Sequence, residues 1–274
     1  MTKVIAALDS SIAAAPVLAT AESLARLFDA TVEAIYVRED GDRTPRSLAE
    51  AAGVSFRALH GTIVEGIVGA AASDSVVALV VGARRTPAGT RPVGSTAFEV
   101  MRLLTKPVAV VPPDAGSPGR LHRVLVPLEG TTSTSLAPKS LIRLAGRANI
   151  DVVIVHVRDE GSLPSFTDQP QHEGTAWAHE FLARYCPWGV DDVRLEIRFG
   201  RRDQQILLAA EESGAELVAL GWSQELAAGR APVVRALLEH GRIPILLIPV
   251  RVAGSGAAAT EKEESWRSLQ SSRA

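Results

Sequence analysis

The chain of 274 residues contains an internal repeat, and this repeat constrains the fold more than any other feature of the sequence. The stretch KVIAALD at 3–9 aligns with RVLVPLE at 123–129, and YVRE at 36–39 aligns with HVRD at 156–159, both at an offset of 120. Later anchors keep the same order: residues 60–61 with 199–200 and 81–82 with 220–221 at an offset of 139, and 107–112 with 244–249 at 137. Five anchors in one order indicate a tandem duplication.

The repeat predicts two domains joined by a short linker. The boundary falls in PDAGSPGR at 113–120, a stretch rich in proline, glycine and serine. We therefore expect one domain at 1–113 and a second at 121–250. Residues 251–274 run through alanine, glycine and serine into a charged segment, which predicts a flexible tail.

Within each half, short apolar runs alternate with helical periodicity. The runs at 3–8, 31–37, 54–60, 76–81 and 107–112 are typical of buried parallel strands. Helix faces appear between them, for example at Val17, Ala21, Leu24 and Phe28, and at Ala97, Val100, Met101 and Leu104. This order predicts an α/β fold with two tandem open five-stranded parallel sheets, each covered by helices on both faces.

Composition excludes several classes of function. A formal net charge of −2 gives no overall attraction for nucleic acid or for an anionic membrane. Cys186 is the only cysteine, so no internal disulfide can form. No apolar run approaches the roughly 20 residues that span a bilayer, and no leader precedes the first strand. We expect a cytoplasmic protein with neither a nucleic-acid nor a membrane partner.

The stretch GTRPVGST at 89–96 is similar to a phosphate-binding loop in which Ser95 replaces the usual lysine. It follows the fourth predicted strand, which ends at Gly82, and leads into a helix whose first turn holds Gly94, Ser95 and Thr96. Backbone N–H groups at a helix start bind anions, and glycine allows a phosphate to approach closely. The alternative is an ordinary strand-to-helix connection with Ser95 or Thr96 near the N-cap.

Other polar residues around this loop allow two interpretations each. Asp9 follows the first strand, at the sheet edge where ligands of open α/β folds bind, but it also suits an N-cap or Asx turn. Arg84, Arg85 and Arg91 either neutralise phosphate charge or are simply solvated. The six histidines form no metal-binding pattern, and no nucleophile elbow occurs. Neither a metal site nor a catalytic residue is therefore predicted.

The two copies differ at the predicted phosphate loop. Aligning Pro92-Val-Gly-Ser95 with Pro232-Val-Val-Arg235 places Val234 where the first half has Gly94, and Arg235 where it has Ser95. A valine side chain at the helix start takes the space that a phosphate needs. The comparison predicts one working site, in the first half, and a degenerate site in the second.

Taken together, these motifs resemble the universal stress protein family in its tandem two-domain form. The resemblance covers Lys3 to Val250 and depends on Asp9, the strand end at Gly82, the Gly94-Ser95-Thr96 helix start and the final strand at 107–112. It implies an adenine nucleotide alpha hydrolase-like fold with strand order 3-2-1-4-5. The family loop G-x2-G-x9-G-[ST] fits at its ends, whereas Arg85 replaces the middle glycine and the closing segment is one residue short.

The resemblance also implies a ligand and a set of contacts. Ala7, Asp9 and Val37 would line an adenosine pocket, and Gly82, Gly94, Ser95 and Thr96 would hold the phosphates of ATP or a related adenine nucleotide, with or without Mg²⁺. Arg85 is a further candidate phosphate contact because of its charge. Lysine-bearing loops follow a first strand and move phosphoryl groups with an acid and a metal, whereas this loop follows a fourth strand and lacks that apparatus. We expect a non-enzymatic stress-response regulator.

Two alternatives and one question of assembly stay open at this point. The protein could instead be a slow ATP hydrolase or adenylyl-transfer enzyme, with Asp9 or Glu99 as the only candidate bases, or a ligand-free dimerisation scaffold. The final strands, at 108–111 and 245–248, are apolar and bracketed by prolines. We expect them to pair in an internal pseudo-dimer of the two domains, and a homodimer of full chains stays open.

Overall fold

The computed structural model describes residues 1–38, 45–83, 93–116, 119–129, 136–158, 175–186, 193–224 and 231–250. The three loop arginines considered above, Arg84, Arg85 and Arg91, lie outside the described residues. The predicted tail at 251–274 lies outside them as well.

Strands and helices alternate through both halves. The first half contains β1 (Lys3–Ala7), α1 (Ala14–Phe28), β2 (Thr31–Val37), α2 (Arg46–Ala51), β3 (Ser55–Leu59), α3 (Ile63–Ala72), β4 (Val76–Gly82), α4 (Ser95–Leu103) and β5 (Val108–Val111). The second contains β6 (Arg123–Pro127), α5 (Lys139–Arg147), β7 (Asp151–Arg158), α6 (Thr175–Tyr185), β8 (Val193–Phe199), α7 (Arg202–Ser213), β9 (Leu217–Trp222), α8 (Pro232–His240) and β10 (Ile245–Pro249). The predicted α/β fold class is confirmed.

The strands of each half follow the order 3-2-1-4-5, and the two halves share one sheet. The full order is β3-β2-β1-β4-β5-β10-β9-β6-β7-β8. Neighbouring strands are parallel within each half, whereas β5 and β10 pair antiparallel, with Ala109 opposite Leu246. The pairing of the final strands that the sequence predicts is present, and it joins the two predicted open sheets into one ten-stranded sheet.

The central strands of this sheet are buried on both faces because their successive residues are apolar on both sides. The edge strands β3 and β8 are partly exposed, which differs from the buried strand that the run at 54–60 predicts. In β1, Val4 and Ala6 lie in the same core cluster as α1, α2, α5 and α6, whereas Ile5 lies in the cluster formed with α3, α4, α7 and α8. Successive side chains of a strand point to opposite faces, so an unbroken apolar run requires a helical layer on each face.

Candidate nucleotide site

A cavity of about 380 Å³ lies at the carboxyl ends of β1 and β4, which are neighbours in the sheet. The helices that follow these two strands, α1 and α4, pack on opposite faces, so the chain leaves a crevice between them. The cavity brings together six of the eight predicted site residues, Ala7, Asp9, Gly82, Gly94, Ser95 and Thr96, and it is also lined by Leu8, Ile63, Ile67, Val81, Ala83 and Ala97.

Asp9 lines the cavity and also orders the turn that leads into α1. Its Oδ1 accepts hydrogen bonds from the backbone N–H of Ser11 at 2.9 Å and from the Ser11 hydroxyl at 2.6 Å. The Ser11 Oγ in turn accepts from the N–H of Ala13 at 3.1 Å. The two interpretations of Asp9 are therefore compatible, because the Asx-type turn holds the carboxylate at the cavity wall.

The start of α4 presents backbone donors to the cavity. Gly94 is the N-cap, and no side chain caps the helix. The N–H of Gly94 donates to the carbonyl of Ala83 at 2.8 Å, and the first bond within the helix runs from the N–H of Phe98 to the carbonyl of Gly94 at 3.0 Å. The N–H groups of Ser95, Thr96 and Ala97 precede that bond, at the positive end of the helix dipole. The arrangement suits an anion.

The two predicted glycines differ in what their missing side chains would meet. A Cβ at Gly94 would lie 3.4 Å from the carbonyl oxygen of Ala83, at the cavity wall, and its φ of −64° is open to any residue. A Cβ at Gly82 would instead face α1, 3.6 Å from the Cβ of Ala13 and 3.7 Å from a Val17 methyl group. Gly82 therefore borders the cavity through its backbone, whereas the bare Cα of Gly94 preserves space beside the helix start.

Val37 does not line the cavity. It is buried at the end of β2 beneath α3, where a Cβ added to Gly66 would lie 3.0 Å from its Cγ2. The apolar wall comes instead from Ile63 and Ile67 on α3, two residues that are not among those predicted for the site. The i, i+4, i+8 spacing of Ile63, Ile67 and Ala71 in the printed sequence is the signal that predicts this helix face.

Candidate catalytic groups are sparse around the cavity. Among its described lining residues, Asp9 is the only one with an ionisable side chain. Glu99 does not line the cavity and pairs with Arg102 at 3.4 Å on the surface of α4. No group of three or more histidine, cysteine, aspartate or glutamate residues in the described part of the chain could hold a metal ion. Burial raises the pKa of the Cys186 thiol to about 12, which makes it a poor nucleophile.

The equivalent position in the second half is nearly filled. Its cavity measures about 30 Å³ and is bordered by Glu129 and Gly221, the counterparts of Asp9 and Gly82. Gly61 and Gly200 are equivalent, because they have similar positive φ angles, 108° and 118°, and lie just before α3 and α7. The offset of 139 between them places Arg202 where the first half has Ile63. Arg202 lines this smaller cavity.

The predicted alignment of the two helix starts is wrong by three residues. Helices α4 and α8 begin at Ser95 and Pro232, an offset of 137, which is also the offset of the final strands. The buried faces agree with this offset, because Ala97, Val100 and Met101 correspond to buried Val234, Leu237 and Leu238. The shared Pro-Val dipeptide suggested the other alignment, but the packed helix face determines the register.

The corrected register changes which residues are equivalent at the two helix starts. The counterparts of Gly94, Ser95 and Thr96 are Ala231, Pro232 and Val233, not Val234 and Arg235. Proline has no backbone N–H, and valine has no hydroxyl. The second helix start therefore offers an anion fewer donors than the first.

Comparisons with known proteins agree with this architecture. Residues 120–249 match the model of the Universal stress protein family. A universal stress protein from Archaeoglobus fulgidus DSM 4304 has a TM-score of 0.67 at 16% identity, with 90% of this chain and 98% of that chain covered. A functionally unknown protein from Pseudomonas aeruginosa PAO1 has a TM-score of 0.66 at 12% identity, with 91% and 93% covered. No curated protein matches the sequence significantly.

The same fold also occurs in a different setting. The cytoplasmic domain of a prokaryotic cation chloride cotransporter has a TM-score of 0.50 at 12% identity, with 90% of this chain and 94% of that chain covered. Within the described part of the present chain, no helix has the length and apolar character needed to cross a bilayer. Because one fold serves proteins of different kinds, function has to be argued from the site.

Proposed function

We propose a function for this chain as a member of the universal stress protein family, because its residues 120–249 match the model of that family. Its first half binds ATP or a related adenine nucleotide in the cavity between β1, β4 and α4. The protein acts as a non-enzymatic regulator of the stress response in the cytoplasm. One nucleotide binds per chain.

The observation that carries this proposal is the pairing of three backbone donors with an acid across one cavity. The N–H groups of Ser95, Thr96 and Ala97 bind the phosphates at the start of α4, with the Thr96 side chain at the same wall. Asp9 accepts a hydrogen bond from a ribose hydroxyl or from the edge of the base.

The remaining predicted residues have supporting parts in this proposal. Ala7, Ile63 and Ile67 form the apolar wall against which the adenosine packs, and Val37 supports that wall from behind α3. Arg85, outside the described residues, remains a proposed phosphate contact. Mg²⁺, where present, is held through the nucleotide phosphates, because Asp9 is the only carboxylate among the described residues that line the cavity.

The site is suited to holding a nucleotide rather than cleaving it. Hydrolysis needs a base or a positioning group for the attacking water, and the one candidate among the described lining residues, Asp9, already accepts two hydrogen bonds from Ser11. Positioned donors alone supply little of the rate enhancement of an enzyme. The second half serves as the partner in an internal pseudo-dimer, joined through β5 and β10.

Calorimetric titration of the intact chain with ATP tests the proposal. We expect a stoichiometry near one for the unmodified chain. In Gly94→Val the added side chain should keep the phosphate away from the start of α4, and the loss of one charge-assisted contact, about 2 kcal/mol, should lower the affinity at least about 30-fold. The matched control is Gly69→Val, since Gly69 lies on α3 with nothing within 4 Å of an added Cβ.

Other outcomes contradict specific parts of the proposal. A stoichiometry near two, or full affinity in Gly94→Val, would show that the site is in the wrong half or that the helix start is not a phosphate site. Steady phosphate release above about 1 per second, abolished by Asp9→Ala, would favour the enzyme alternative. Absence of any binding of adenine nucleotides would favour the ligand-free scaffold.

A further inference from the structure

A side chain of the second half contacts the end of the helix whose beginning borders the cavity. Gln224 follows β9, and its Nε2 donates to backbone carbonyls in the last turn and at the C-cap of α4. The distances are 2.8 Å to Leu104, 3.3 Å to Met101 and 3.4 Å to Arg102. These bonds cross the junction between the halves, because β9 lies beside β10, and β10 pairs with β5.

The Gln224 side chain supplies hydrogen-bond donors for the last carbonyls of α4, which have no partners within the helix. The last carbonyls of a helix have no partner within the helix, and many helices satisfy them through a left-handed glycine. The C-cap residue of α4, Leu104, instead has an extended conformation, and its N–H donates to the carbonyl of Val100. An amide from the other half therefore takes the place of a local C-cap.

The backbone of Gln224 is also unusual. Its φ of 61° lies in the left-handed region, which is costly for a residue with a side chain. Such strain persists where the surrounding structure compensates for it, and the amide bonds to α4 provide that compensation.

We propose that Gln224 is a positioning residue for nucleotide binding, an inference that depends on the proposed function of the first half. Helix α4 has only nine residues, so its phosphate-binding start and its capped end belong to one short rigid element. Holding the last turn restricts the tilt of the helix and keeps the N–H groups of Ser95 and Thr96 aligned on the cavity. The second half thereby contributes to a site whose described lining residues all come from the first.

The test is a series of substitutions at Gln224 in the full chain, with the dissociation constant for ATP measured by calorimetry. We expect Gln224→Ala to bind about 3- to 10-fold more weakly, as the loss of one or more hydrogen bonds implies. Gln224→Glu keeps the shape but places an acceptor and a negative charge beside the carbonyls, so its affinity falls more than about 10-fold. Gln224→Lys restores a donor and should bind within about twofold of the unmodified protein.

Two controls separate positioning from general stability. Gln204→Ala removes an exposed glutamine from α7 and should leave the dissociation constant unchanged. Glu33→Gln, which weakens ion pairs outside the cavity, should lower stability without changing affinity. Hydrogen exchange without nucleotide should show faster exchange of the α4 amides in Gln224→Ala and in no control.

The outcomes distinguish this inference from the proposed function. If the unmodified protein binds ATP and all Gln224 variants bind equally well, the positioning role is wrong and the nucleotide site stands. If affinity falls in proportion to stability in Glu33→Gln as well, the effect is general and the positioning role is also wrong. If the unmodified protein binds no adenine nucleotide, the proposed function fails, and the inference fails with it.

Discussion

Glu33 illustrates, at the scale of single residues, how the parallel strands of the first half are joined by charge as well as by backbone bonds. It lies on β2 with a side chain only 14% exposed, 3.2 Å from Nζ of Lys3 on β1 and 2.6 Å from Nε of Arg57 on β3. Burial raises the pKa of the carboxyl group, but the hydrogen bonds and charges of Arg57 and Lys3 outweigh burial and hold the pKa below 4.5.

Glu33→Gln should therefore lower the free energy of unfolding by about 1 kcal/mol at pH 7. A group whose pKa is depressed in the folded state contributes stability above its unfolded pKa and loses that contribution as the pH falls through the folded value. The difference between the two proteins should be full at pH 7 and should shrink below about 4.5. Urea denaturation at several pH values measures it.

The control for this prediction is an exposed pair. Glu50→Gln breaks a 3.6 Å contact with Arg46 in which both side chains are more than half exposed, so its effect should stay within about 0.5 kcal/mol. Equal losses in the two variants, or a loss in Glu33→Gln that does not depend on pH, would contradict the assignment.

Helix α3 shows, at the scale of an element, how two glycines of one helix can lie in different surroundings. Gly66 faces β2, where an added Cβ would lie 3.0 Å from the Cγ2 of Val37, whereas nothing lies within 4 Å of a Cβ added to Gly69. The missing side chain at Gly66 lets α3 approach the sheet closely. That approach brings Ile63 and Ile67 to the cavity wall.

The two glycines should respond oppositely to alanine. Gly69→Ala should stabilise the protein by about 0.5–1 kcal/mol, because alanine is the better helix former and the space is open. Gly66→Ala gains the same propensity but has to displace Val37, so we expect a net loss of about 1 kcal/mol. Thermal unfolding measures both, and similar stabilisation by the two substitutions would show that α3 moves away from β2 without cost.

At the scale of the whole molecule, the antiparallel pairing of β5 with β10 joins the two halves into one sheet. The carbonyl of Pro107 accepts from Leu79 on β4, and that of Val111 accepts from Ala83 just after β4. By alternation, Val110 presents its backbone to β10, where it lies opposite Ile245. A first half without this partner would expose an apolar edge of four residues, VAVV. Bare edges of this kind pair with other chains.

Residues 1–113 expressed alone should therefore associate through β5 at micromolar concentrations, as measured by sedimentation. Val110→Pro removes a donor that faces β10, so the same fragment carrying this substitution should associate less. A fragment that stays monomeric at high concentration would show that the β5 edge is protected in another way and that pairing with β10 is not required to protect it.

Much of the architecture could be predicted because it depends on patterns within contiguous residues. Apolar runs such as 3–8 and 76–81 indicate buried strands, and their alternation with helices, repeated twice, implies parallel sheets. The observed strand order within each half is the one that the resemblance to the universal stress protein family implies. The residues that follow β1 and β4 were candidates for one site for the same reason, since the carboxyl ends of adjacent parallel strands meet at one edge. Their role in binding a nucleotide remains a proposal.

By itself, then, the sequence determined the duplication, the class of fold and the strand ends at which Asp9 and Gly82 lie. Only the tertiary structure decided that the paired final strands run antiparallel and merge the two halves into one ten-stranded sheet, that Ile63 and Ile67 form the cavity wall, that α8 begins at Pro232 in register with Ser95, and that Gln224 reaches α4. Each of these depends on contacts between residues far apart in the chain. Local periodicity records which face of an element is apolar, but packing alone selects the partner that the face or edge meets.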